Sequence, residues 1–186
     1  MLCHALGRNE KSLAYARRAV DLDPLNQRNW REVGQTLNAM GNQADAEAAW
    51  RRLLEFSPNS VNVRARLALT IERQGRHAEA IAMAQSETAD WARWNSLGII
   101  YALQGNLGEA DKVLKLLIDN LAGRAAVQIA MNYAARKDAD RAFLWLERAY
   151  AQRDSGLAFL KSGWIYESLH ADPRWPVFLE KMGLAD

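Results

Sequence analysis

The chain has 186 residues, 49% of them hydrophobic, with 24 basic and 22 acidic side chains and a formal net charge of +2. That length supports a continuous core, and that charge balance argues against the basic footprint of a nucleic-acid-binding surface. The lone cysteine, Cys3, excludes an intrachain disulfide framework and points to a reducing, cytoplasmic setting. No apolar run approaches the ~20 residues needed to span a bilayer, and no secretory leader opens the sequence.

Residues 1–24 read as the back half of a helix pair, with Gly7, Ser12, Ala16, Ala19 and Pro24 in register with later segments. Most of the leading helix of that pair is missing. Leu2, Leu6, Leu13 and Val20 are therefore expected to lack cover. Either the chain belongs to a longer protein, or two copies meet at this edge.

The next segments repeat. Gly7, Gly41 and Gly75 stand 34 residues apart, as do Pro24 and Pro58; Gly105 follows, and Lys137 falls at the equivalent turn. Segment 27–60 carries Trp30, Val33, Gly34, Leu37, Gly41 and Ala46, and segment 91–122 carries Trp94, Leu97, Gly98, Tyr101, Gly105 and Ala110. Steps of three and four place Trp30, Val33 and Leu37 on one helical stripe. Gly34 lies within that stripe, and a close crossing with Ala46 of the following helix is expected. Gly41 suits the left-handed residue that ends a helix, and Pro58 cannot continue one. Segment 61–90 is weaker: Arg64 and Ala68 replace the aromatic and the glycine, and its second helix is about four residues short. Segment 123–152 keeps Ile129, Ala130, Tyr133, Ala142, Leu146 and Ala149, with Ala126 at the aromatic position.

Residues 153–186 break the period. Asp172 and Pro173 read as the N-cap and first position of a last helix. Trp175, Phe178, Leu179 and Met182 share one face of that helix, and this face is expected to seal the apolar edge of the helix around 141–150. No run alternates as a strand would.

These registered segments resemble the tetratricopeptide repeat, whose signature is Trp-x2-Leu-Gly-x2-Tyr, then Ala, then Pro. The resemblance covers residues 1–152 and implies an all-α, right-handed solenoid of antiparallel helix pairs, about 10–12 helices in all, with 153–186 as a C-terminal helical cap. The stretch from Leu169 to Leu184 resembles the Leu-x-x-Asp-Pro-Arg-aromatic tail that follows such repeats in bacterial winged-helix regulators, nucleotide cyclases and kinases; Pro176 departs from it. By the same resemblance, the first helix of each pair lines an inner groove. That assigns Arg31, Gln35 and Asn38, then Ala65, Leu69 and Glu72, then Asn95, Ile99 and Ala102, then Val127, Met131 and Ala134 to its wall. Arg28 and Arg31 would meet an acidic group of a partner segment, and Leu69, Ile99 and Met131 its apolar side chains. The family's clamp for a C-terminal carboxylate is not present as a set: Gln35, Leu69, Ile99 and Met131 stand where asparagine is needed.

Other chemistry-bearing residues have plain readings. His4, His77 and His170 fall on different segments, so no metal-ligating set converges. Arg17, Arg18, Arg51, Arg52, Arg64 and Arg66 read as solvated faces with acidic neighbours such as Asp21, Glu47 and Glu55. Asp138 and Asp140 begin a helix, where acids cap and favour the dipole. No phosphate loop, nucleophile elbow or His-Glu-x-x-His occurs. The sequence therefore points away from an enzyme, a cofactor, a membrane protein or a nucleic-acid binder. It points to a bacterial scaffold or regulatory module for signalling or transcription control, binding a protein or peptide segment in the groove. Homodimerisation through the N-terminal edge is the alternative.

Overall fold

Alanine-rich apolar stripes interrupted by left-handed turns fold into helix pairs stacked in chain order. The computed structural model of the chain describes Cys3 and residues 6–185; Leu2 and His4, singled out above, lie outside the described residues. Helix α1 (Asn9–Leu22) is followed by the pairs α2 (Gln27–Ala39) with α3 (Gln43–Phe56), α4 (Val63–Glu72) with α5 (His77–Gln85), α6 (Asp90–Leu103) with α7 (Leu107–Leu121), and α8 (Ala126–Ala135) with α9 (Ala139–Ala151). Two 3-10 helices, Ser155–Phe159 and Trp164–Leu169, lead to α10 (Arg174–Lys181). No strand occurs among the described residues. The architecture is an all-helical, tetratricopeptide-like solenoid: each helix packs on its pair mate, and α4, α6 and α8 pack successively along one wall.

The turns explain the spacing. Gly41, Gly75 and Gly105 adopt φ of 79°, 77° and 75°, and Lys137 takes the same left-handed conformation at φ 60°. The next helix in three of these four cases starts behind a side-chain cap: Asn42, Asn106 and Asp138 accept the backbone N–H groups of Asp45, Glu109 and Arg141. Asp138 therefore has the capping role read from the sequence. The shortened second helix of segment 61–90 is α5, and the chain just beyond it buries Glu87. That carboxylate accepts N–H groups of Ala65 and Ala89 at 3.4 and 3.1 Å, serving the starts of α4 and α6 together.

The small-residue crossing is built differently from the expectation. A Cβ on Gly34 would lie 2.6 to 2.8 Å from ring atoms of Trp50, so the glycine makes room for an indole rather than for Ala46. Trp50 is fully buried. Gly98 has a different partner again, the side chain of Asn132 two helices further on. The two glycines occupy the same position of the repeat and admit different groups.

The N-terminal edge is partly covered by the chain itself. Leu13 is buried with Val33 and Leu37 of α2, and Val20 packs on that cluster. Leu6 borders a cavity with Tyr150, Leu157, Met182 and Leu184, and Gly7 lies 4.0 Å from the Lys161 side chain when given a Cβ. Leu6, Leu13 and Val20 therefore do not face open solvent as a group.

At the other end, α10 packs on α9. Phe178 meets Tyr150 edge-on with ring centroids 6.5 Å apart, Arg174 lies over the Phe143 ring, and Lys181 pairs with Glu147. The helix begins one residue later than the spacing predicts, at Arg174, while Asp172 Oδ1 still accepts the Arg174 N–H at 2.9 Å.

Candidate interaction face

The wall formed by the first helices of the pairs is held by polar side chains that bond from one pair to the next. Asn38 of α2 donates to Thr70 of α4 at 2.8 Å. Glu72 of α4 accepts from Gln104, just past α6, at 2.8 Å. Asn132 of α8 donates to Asn95 of α6 at 3.0 Å. All three pairs are shielded from water on at least one side, so each bond aligns the helices that frame the inner face.

Most of that face is not empty. After α9 the chain turns back across it. Asp154 accepts the backbone N–H groups of Gly156 and Val127 at 2.9 and 3.4 Å. Gly156 packs against the Val127 side chain, where a Cβ would be 3.1 Å from it. Further along, Ser168 donates to the Ala134 carbonyl at 2.8 Å, and Arg73 covers the Trp164 ring at 4.6 Å. Leu157, Leu160, Ile165, Tyr166 and Leu169 are buried. Burying one such side chain contributes roughly 1.5–3 kcal/mol, so this segment is firmly seated.

Five of the residues assigned to the groove, Gln35, Asn38, Leu69, Val127 and Met131, line one cavity of about 110 Å³ between the wall and this segment. Arg66, Gln128 and Tyr166 line it too. The other assigned positions are elsewhere. Ile99 is fully buried among core side chains, Asn95 and Glu72 are buried in the bonds just described, and none of the three borders the cavity. A close-packed wall absorbs these side chains because successive first helices touch directly. Arg31 is half-buried and donates to the Val61 carbonyl at 2.9 Å. Burial pushes its guanidinium below the ordinary value, with Glu87 opposing. Arg28 is exposed beside Tyr15, Asn29 and Glu32, at the N-terminal rim.

Arg66, Gln128 and the C-terminal segment were missing from the sequence assignment. Arg66 stands two positions past the aromatic site of its repeat, off the expected groove track. The segment carried a visible aromatic and aliphatic series, Phe159, Trp164, Ile165 and Tyr166, but nothing in its spacing indicated which wall it would cover. Among the described residues, no group of three or more His, Cys, Asp or Glu side chains could hold a metal ion, and no helix is long and apolar enough to cross a membrane.

Residues 2–71 match the family model of the bacterial transcriptional activator domain. No curated protein matches the chain. Among solved structures, the chain is similar to MamA at 18% identity and a TM-score of 0.52, with 79% of this chain and 90% of that one covered. It is also similar to YrrB, described as a TPR protein with an unusual peptide-binding site, at 17% identity and a TM-score of 0.50, with 86% of each chain covered. At such identity these likenesses show the fold, a helical solenoid of tetratricopeptide type.

Proposed function

We propose that this chain is a protein-interaction module of a bacterial regulatory protein, working in the cytoplasm and holding a partner segment along the N-terminal part of its inner face. The fold favours the reading, since a repeat solenoid presents an extended surface rather than a reaction centre. The match of residues 2–71 to a transcriptional activator domain favours a regulatory setting. The observation that carries the reading is the position of the C-terminal segment. It lies against α8 and α4, while Arg28 is exposed and Arg31 is half-buried beyond it. A partner with an acidic group beside Arg28 and Arg31 fits that opening. The experiment is affinity capture from bacterial lysate with the wild type and with Arg31→Glu, read by mass spectrometry. A protein retained by the wild type and lost from the variant supports the reading; identical protein sets overturn it.

A second reading rests on a different surface. Tyr15 is 67% exposed, whereas Ala49, its equivalent 34 residues on, is 3% exposed under α2. Leu22, at the end of the same helix, is 74% exposed. Two copies meeting there would cover what a preceding helix covers elsewhere in the solenoid. Light scattering across concentration, with Tyr15→Glu as the variant, separates this from a monomeric binding module.

A further inference from the structure

The cavity between the inner wall and the C-terminal segment holds more hydrogen-bond donors than partners for them. The Arg66 guanidinium lines it and bonds no carboxylate among the described residues; its electrostatic neighbours are the Tyr166 phenol and a second cation, Arg31. The side-chain amides of Gln35 and Gln128 line the same space from α2 and α8, and neither bonds a described residue. The other ionised groups near this face are engaged elsewhere. Glu87 receives two backbone N–H groups, Asp154 receives those of Val127 and Gly156, and Glu167 is the acidic neighbour of Arg73.

A guanidinium held away from bulk water beside another guanidinium is stabilised by an anion, and its planar fork matches a carboxylate with two parallel bonds. Desolvation pushes Arg66 below its ordinary value; the Tyr166 phenol opposes this and Arg31 adds to it. The void of about 110 Å³ exceeds the ~30 Å³ that one water occupies in the liquid several times over, leaving room for a small polyatomic anion.

We propose that this cavity binds a small free carboxylate, gripped by the Arg66 fork and flanked by the Gln35 and Gln128 amides. Arg66 and Gln128 are off the positions that line the groove by family resemblance, while Gln35 is on them, so the site uses a different cation from the family's clamp. The test uses the full chain, with acetate and succinate as probes and phosphate and chloride as comparison anions. Calorimetry and NMR of the glutamine side-chain amides provide the readouts. The expected result is saturable shifts at Gln35 and Gln128 with the carboxylates. Arg66→Gln weakens binding about tenfold or more, the effect of losing one charge-assisted hydrogen bond. Arg66→Lys, which keeps the charge without the fork, recovers part of that loss. Melting curves without anion check that each variant folds, and Gln128→Leu serves if Arg66→Gln does not. Three outcomes overturn the proposal: no saturable shift with either carboxylate, equal affinity in the Arg66 or Gln128 variant, or phosphate or chloride binding as tightly.

Discussion

The side-chain oxygen of Asn132 fills the space that a side chain on Gly98 would need: a Cβ there would lie 2.1 Å from Oδ1. Asn132 is fully buried, and its Nδ2 donates to Asn95 Oδ1 and to the Gln128 carbonyl at 3.0 and 2.9 Å. The glycine that marks the repeat therefore makes room for the side chain whose Nδ2 links α8 to α6. Gly98→Ala is expected to cost ~3 kcal/mol, from overpacking and from displacing the asparagine. Chemical denaturation of Gly98→Ala, Asn132→Ala and the double variant checks this. The double variant is expected to lose clearly less than the sum of the singles.

Lys137 occupies a turn where four other segments place glycine, with φ 60° against 70–79°. A left-handed conformation costs a non-glycine residue roughly 1–2 kcal/mol. Replacing Lys137 by Gly relieves that strain but frees the unfolded chain, so a net gain of about 0.5–1 kcal/mol is expected. Thermal melts of wild type and Lys137→Gly provide the measurement; an unchanged or lower midpoint contradicts it.

The seating of the C-terminal segment can be measured directly. Leu160 is fully buried among Leu157, Ile165 and their neighbours. Leu160→Ala is expected to destabilise the protein by about 2–5 kcal/mol. Leu144, on the outer side of α9 and 66% exposed, provides the control, since Leu144→Ala is expected to stay within ~0.5 kcal/mol of wild type.

Acid should loosen the start of α10 late. The Arg174 side chain and backbone N–H hold the Asp172 carboxyl down to about 2, from an ordinary 3.8. A depressed carboxyl contributes fully above its unfolded value and loses that contribution as pH falls through its folded one. The Asp172–Arg174 contact should therefore be intact at pH 4 and weaken between about 3.8 and 2. Carbon NMR titration of the Asp172 carboxyl reads the midpoint, and a value near 4 would contradict the assignment.

Much of the fold was legible in the residues. Gly41, Gly75 and Gly105 gave the turns because helix ends select for left-handed backbone, and even Lys137 was placed by spacing alone. The helix pairs followed from stripes of three and four. What each small residue faces was not legible: Gly34 pointed to Ala46 by proximity in the repeat, whereas the space belongs to Trp50. The inner face was half legible. Gln35, Asn38, Leu69 and Met131 do share a cavity. Ile99 and Asn95 looked identical to them in register, yet sit where neighbouring helices close over them. Periodicity tells which side of a helix a residue is on, and it does not tell what arrives there from a hundred residues away.

Such an arrival also sets how the molecule melts. Leu6 borders the same cavity as Leu157, Met182 and Leu184, and a side chain on Gly7 would reach Lys161 at 4.0 Å, so the residues before α1 run alongside the C-terminal segment. Repeat arrays commonly fray from their ends, each unit depending on its neighbour alone. Here the two ends lie side by side, so fraying at one is expected to expose the other.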